Sequence, residues 1–196
     1  MAPSVRTGDG ADGPPMTAFE GRIGPNGREG GGTMWYASGV SVRGTFRDDV
    51  CLLGVRREPG RLKYRGSFDA ADMPHGQGKM NYCTGDKLQG LFEHGQFKSG
   101  FFTDRHGNWY RGPFRNHTFH GDGGVYYLEK SNLMWDIETW RNGLPAGRGA
   151  LFLKDMEITG VWTDFFRGRD FEIFEDGAKI ESETSESIAE FVAALQ

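Results

Sequence analysis

Cysteine is scarce, with only Cys51 and Cys83 in a chain of 196 residues. Two thiols cannot supply the multi-bridge framework that staples small secreted folds, so both are read as reduced and partly buried. Long apolar runs are missing as well: nothing approaches the roughly 18 apolar residues that a membrane-spanning helix needs. The opening MAPSVRTGDGADGPPM lacks a basic-then-apolar signal pattern, and the expectation is a soluble, cytoplasmic protein. Charge of one sign is not in excess. Basic residues number 23 and acidic residues 27, a net charge of -4 that gives no overall footprint for nucleic acid. Catalytic groupings are also lacking: no Ser-His-Asp or Cys-His arrangement has supporting context, and the Gly-x-Gly strings precede alternating strands rather than the helix of a phosphate-cradling loop. The chain is read as a non-enzyme without a cofactor.

Glycine and aromatic residues fill the space these absences leave. Glycine accounts for 31 residues without an every-third period, and aromatics for 13%. Disorder would predict few aromatics, so the pair points to a turn-rich all-β repeat. Anchors recur at Gly21-Arg22-Ile23, Gly44-Thr45-Phe46, Gly66-Ser67-Phe68, Gly90-Leu91-Phe92, Gly112-Pro113-Phe114, Glu138-Thr139-Trp140 and Gly160-Val161-Trp162, spaced 22 to 26 residues apart. A Gly-rich return follows each anchor, as at Gly76-Gln77-Gly78 and Gly121-Asp122-Gly123, and then an alternating apolar strand, as at Met80 and Tyr82. That spacing fits a two-strand unit with turn chemistry at both ends.

Strand parity places the anchor glycine, the aromatic two residues later and the residue two earlier on one face. Val42, Gly44 and Phe46 share it, as do Tyr64, Gly66 and Phe68, Leu88, Gly90 and Phe92, and Tyr110, Gly112 and Phe114. The glycine is read as clearing room for an aromatic of the neighbouring unit. The sixth unit is irregular, with Glu138 in place of glycine and a protruding turn or bulge expected around Leu128-Glu129-Lys130-Ser131-Asn132. Residues 1–16 are expected to form a flexible tail, 17–180 the array of about seven units, and 181–196 a polar linker and a short amphipathic helix. That helix is announced by the capping box Ser187 to Glu190 and the stripe Ile188, Phe191, Val192 and Leu195. It is expected to dock on the sheet or on a second subunit.

The pattern resembles membrane occupation and recognition nexus (MORN) repeats. The best matches are Tyr64-Arg65-Gly66-Ser67-Phe68 with His75-Gly76-Gln77-Gly78, and Tyr110-Arg111-Gly112-Pro113-Phe114 with His120-Gly121-Asp122-Gly123. The resemblance implies an all-β fold: an elongated, twisted single-layer antiparallel sheet of stacked hairpins. It also implies a non-catalytic scaffold or adaptor in a cytoskeletal, ciliary or membrane-associated assembly.

Candidate partner-binding residues follow from parity and chemistry. Tyr64 and Tyr110 can present a hydroxyl beside an aromatic surface. Trp35, Phe101, Trp109 and Trp135 fall on the opposite face, Trp135 opposite Trp140, where a single layer needs a cover. The expected occupant is a protein or peptide, a helix among the options, with a second copy of the chain as another. Arg43, Arg65 and Arg111 recur on that second face and could contact an acidic peptide or, weakly, a phospholipid headgroup. His117 and His120 offer two imidazoles, too few for a closed zinc site, and His75 and His120 are read as turn residues. No metal ligand is assigned.

Overall fold

In the computed structural model, which describes residues 16–183 and 188–195, nearly every described residue lies in a strand or in the tight turn after it. The tail expected over 1–16 lies outside the described residues except for Met16, which opens the first strand; Ser187 also lies outside them. The chain divides into two compact units, meeting in sequence between Phe97 and Lys98.

The first unit is a single antiparallel layer built from β1 (Met16–Gly24), β2 (Gly27–Tyr36), β3 (Ser41–Arg47), β4 (Val50–Glu58), β5 (Leu62–Phe68), β6 (Pro74–Tyr82) and β7 (Lys87–Glu93). Each strand pairs with the next. The boundary falls within β8 (Gln96–Thr103).

In the second unit β9 (Trp109–Arg115) pairs with β8, with the two-residue β10 (Thr118–Phe119) and with β11 (Gly121–Leu128). Next, β12 (Leu133–Arg141) pairs with β11 on one side and with β13 (Leu144–Pro145) and β14 (Gly147–Leu153) on the other. The layer continues through β15 (Met156–Asp164), β16 (Arg167–Glu175) and β17 (Ala178–Glu183). A helix, α1 (Ala189–Leu195), follows. The antiparallel single-layer fold with a short C-terminal helix is thus present as the hairpin pattern implied. Two-residue turns such as Asn142-Gly143 and Asp176-Gly177 have both residues at positive φ, the twist-matched geometry that fixes hairpin register.

Each layer buries one face. Val42, Phe46, Tyr64, Phe68, Leu88 and Phe92 are buried in the first unit, and Tyr110 and Phe114 in the second, the parity expected from the anchors. The reason for the glycine differs from the expectation. The ring filling the cleared space belongs to the same unit: a Cβ on Gly66 would meet the hydroxyl of Tyr64 in the same strand, one on Gly112 would lie 2.6 Å from Tyr110 Cζ in the same strand, and one on Gly78, in the paired strand, would lie 2.6 Å from Tyr64 Cζ. Each tyrosine lies over its own glycine and donates its hydroxyl to the carbonyl three residues on, Tyr64 to Ser67 at 2.9 Å and Tyr110 to Pro113 at 3.3 Å. The phenylalanine four residues on meets the ring edge-to-face, at 5.2 Å in both Tyr64–Phe68 and Tyr110–Phe114. The two Tyr-Arg-Gly-x-Phe strings therefore encode the same local core, with the phenol's hydrogen bond satisfied inside it.

The irregularity of the sixth unit lies elsewhere than expected. Residues 129–132 form a short turn between the paired Leu128 and Leu133. The extra length is taken up instead by β10, whose Phe119 stacks flat on Tyr110 with centroids 3.9 Å apart. In β12 the in-out alternation breaks between Ile137 and Trp140, both of which are buried although three positions apart. Trp135 and Trp140 consequently share the covered face, where both meet Tyr126 and Phe165. Expecting Trp135 opposite Trp140 fails for that reason. Phe165 and Phe166, in the β15–β16 turn, fold over Trp135, whose indole N–H donates to Phe165 O at 3.0 Å. The start of the helix is tied to the same turn, since Ile188 N donates to Phe166 O at 3.1 Å and both Ile188 and Val192 are buried. The helix is docked within the second unit.

Candidate peptide-binding face

The face opposite the buried core carries side chains that register brings into rows. In the second unit, Trp109 stands opposite Thr103 on β8 and Tyr127 on β11, and Phe101 sits on the same face two residues before Thr103. Their rings stack in series: Phe101 on Trp109 at 5.1 Å and 23°, and Trp109 on Tyr127 at 5.5 Å and 27°. Phe101 is 39% exposed, and Trp109 and Tyr127 are half-buried. Tyr127 is steadied by a hydrogen bond from its hydroxyl to Asn132 Oδ1 at 2.8 Å. The row continues across β12 and β14 through Met134 and Phe152, paired with Tyr127 and with each other and likewise half-buried. Beside the ladder, Arg111 is exposed between Phe101 and Val125, and a groove of about 440 Å³ is lined by Ser99, Arg111, Pro113, Asp122, Gly123 and Val125 among others.

The first unit's open face differs in character. Arg43 and Arg65 flank Val55 across three paired strands, with Lys79 next to Arg65. One row over, Arg57 pairs with Lys63. All five cations are exposed, and none makes an ion pair among the described residues. Arg111, in the second unit, is not part of this cluster.

The covered side of the first unit holds a polar cluster. Arg28, 8% exposed, donates from Nε to Asp49 Oδ1 at 2.8 Å, and lies 3.7 Å from Asp72, which accepts the Tyr36 hydroxyl at 2.9 Å. Burial pushes the Asp72 carboxyl above its ordinary range, against the opposing pull of Arg28. The same effect raises the buried Cys51 thiol to about 11, so it is a thiol rather than a nucleophile at neutral pH. Cys83 is exposed, and both cysteines are free. Tyr36 and Arg28, through Asp72, tie the β5–β6 loop to the core.

The structure separates the expected contact residues. Phe101 and Trp109 come together on the open face of the second unit. Trp35, 37% exposed, stands on the first unit's open face, paired with Ser41. Tyr64, Tyr110 and Trp135 are each 0% exposed and belong to the core. Burial raises the Tyr64 phenol to about 12 and also shifts Tyr110 upward, with both hydroxyls spent on strand carbonyls. These three are corrected from contact candidates to packing residues. Tyr127 has no distinguishing signal in the sequence. The pair Tyr126-Tyr127 shows that one ring faces each way, but only the register with Trp109 shows which ring completes the ladder. His120 accepts the Asn142 amide at 3.3 Å, in keeping with a turn role.

No family profile matches the chain, and no curated protein matches it in sequence. Among solved structures, the chain is similar to the TCP domain of SAS-4 (dCPAP) of Drosophila melanogaster, solved in complex with a proline-rich motif of Ana2 (dSTIL). That match has a TM-score of 0.51 and 11% identity, covering 85% of this chain and 90% of that one. The wild-type TCP10 domain of Danio rerio CPAP is also matched, with a TM-score of 0.30 and 8% identity over 86% of this chain and 96% of that one. The fly domain therefore shares the fold. The MORN assignment is corrected by this finding. Its signature, glycine two residues from an aromatic with a Gly-rich return, follows from the packing demand of a one-layer sheet: Tyr64 needs bare backbone at both Gly66 and Gly78. Any fold made of one such layer can meet that demand with the same residues.

Proposed function

We propose that this chain is a non-catalytic binding module that takes an extended, proline-rich peptide on the open face of its second unit. The observation that carries the reading is the Phe101–Trp109–Tyr127 ladder. Three rings stacked at 5.1 and 5.5 Å, partly exposed and braced from below by the sheet, form a rigid aromatic floor. Proline-rich segments are already extended before binding, so they dock on such floors with little ordering loss. The fly TCP domain's complex with a proline-rich motif of Ana2 supports the same class of ligand. Arg111, beside the ladder, would favour an acidic residue or backbone carbonyls in the ligand. An extended segment suits this surface better than the helix weighed from sequence, because a flat ladder lacks the deep groove that a helix fills. A role as scaffold or adaptor in a cytoplasmic, cytoskeleton-associated assembly accords with such a module.

The test is fluorescence polarisation with a labelled proline-rich peptide and the full chain. Trp109→Ala is expected to weaken binding about tenfold or more, as truncation of a central aromatic anchor does, while the far-UV circular dichroism stays unchanged. Wild-type affinity in both Trp109→Ala and Phe101→Ala would overturn the proposal. A second copy of the chain is the competing occupant; a mass that doubles with concentration and returns to monomer in Trp109→Ala would favour it.

The first unit's cation cluster favours a second, weaker reading, contact with anionic phospholipid headgroups through Arg43 and Arg65. Exposed cations attract an anionic surface by roughly 1 kcal/mol each. Flotation with phosphatidylserine-containing vesicles is expected to lose most bound protein on the double change Arg43→Glu and Arg65→Glu. Unchanged flotation would reject it.

A further inference from the structure

Asp69, His75 and His94 come from three separate segments of the first unit and converge on one point. Asp69 follows β5, His75 lies near the start of β6, and His94 lies in the turn after β7. One ligand-type atom from each lies within 4.8 Å of the others. Asp69 is held in place by its loop: its Oδ1 accepts the amides of Ala71 and Met73, each at 3.0 Å. That grip leaves Oδ2 turned to the histidines, with His94 Nδ1 at 2.8 Å. The two imidazoles lie 5.1 Å apart between centroids. The turn bearing His94 is tied to the strand bearing His75 by a hydrogen bond from Gly95 N to Pro74 O at 2.8 Å. His75 Nδ1 is buried with no hydrogen-bond partner. An imidazole with an unpaired buried nitrogen, its ring beside a fixed carboxylate and a second imidazole, is an unusual thing for a fold to keep without a ligand.

We infer that these three side chains form a binding site for a divalent transition-metal ion, with zinc as its simplest occupant. Two neutral imidazoles and one carboxylate are the donors such ions take, and donor atoms around tetrahedral zinc lie about 3.3 Å apart. The three ligand atoms already lie within 4.8 Å of one another, about 1.5 Å from that separation at the widest. Three protein donors leave a coordination position for water or for a side chain of a partner. Bound metal would pin the Asp69–Met73 loop to the β7–β8 turn. The same loop carries Asp72, which meets Tyr36 and Arg28 over the buried face, so the ion would act as a clasp on the first unit. The sequence assigns no metal ligand, because the converging residues are 6 and 19 positions apart and come together only once β5, β6 and β7 are paired.

The test is isothermal titration of the chelator-stripped full chain with zinc chloride alone, paired with thermal unfolding with and without zinc. One saturable equivalent and a raised unfolding temperature are expected. His94→Asn, which keeps a residue suited to the turn's positive φ, and His75→Ala are each expected to weaken zinc binding at least tenfold and abolish the thermal shift. His117→Ala should bind as the unaltered chain does. Unfolding temperatures without zinc establish that the variants are folded. Absence of a saturable equivalent, or wild-type binding by the folded His75→Ala and His94→Asn variants, would overturn the site.

Discussion

Replacing Gly78 with alanine is expected to destabilise the protein by about 1–3 kcal/mol, the usual range for overpacking a closed core. The atoms nearest a Cβ at Gly78 all belong to the Tyr64 ring, with Cζ at 2.6 Å. That ring cannot retreat. Phe68 and Phe92 meet its edges at 5.2 Å each, and its hydroxyl is anchored to Ser67 O. The effect should therefore depend on Tyr64. In a Tyr64→Leu background the added methyl should destabilise by at least about 1 kcal/mol less, the non-additivity expected of residues in contact. Gly31→Ala is the control: no heavy atom lies within 4 Å of its Cβ position and its φ is not positive, so a change within about 0.5 kcal/mol is expected. Urea denaturation of the four variants measures all of this. Equal losses for Gly78→Ala and Gly31→Ala would show that the glycines are not seats for the tyrosines.

Trp135→Ala is expected to be more severe, about 3–5 kcal/mol, as for other fully buried large aromatics. Trp135 is 0% exposed and ringed by Tyr126, Phe165 and Phe166. Its removal opens a cavity under the β15–β16 turn, which also holds the start of α1 through Ile188. Trp135→Phe keeps a ring and loses the indole hydrogen bond to Phe165 O, so a much smaller loss is expected, with about 1 kcal/mol of it from the bond. Thermal unfolding with near-ultraviolet circular dichroism separates the two. A mild loss in Trp135→Ala would mean that the turn and helix are held by something other than this indole.

The parts of the fold legible in the sequence are those set by short-range rules. The anchor spacing exposed the hairpins, the strand period identified the buried face from Val42 to Phe114, and the stripe at Ile188 and Val192 announced a docked helix. The errors arose where tertiary context decides. Tyr64 and Tyr110 looked like surface residues because a hydroxyl beside a glycine is ambiguous until the ring's fold over that glycine is seen. Parity put Trp135 on the wrong face because the break between Ile137 and Trp140 shows no local signal beyond Glu138 at the anchor position. The array extends through β17 to Glu183, beyond the expected end at 180, because alternation at its end is too weak to separate strand from linker. Of the candidate site, Phe101 and Trp109 were legible as apolar residues of the uncovered parity; their junction with Tyr127 required the register between β9 and β11. The family resemblance misled for a physical reason, since glycine beneath a tyrosine answers a demand of one-layer sheets in general.

The most direct measurement of the proposed function is a backbone and side-chain nuclear magnetic resonance titration of the full chain with an unlabelled proline-rich peptide. The expected result is saturable shift changes centred on Phe101, Trp109, Tyr127 and Arg111, including the Trp109 indole N–H, with the buried Trp135 and Trp140 indoles little altered. Saturable shifts centred elsewhere, or no shifts at all with peptide in excess, would contradict the assignment of this face as the binding surface.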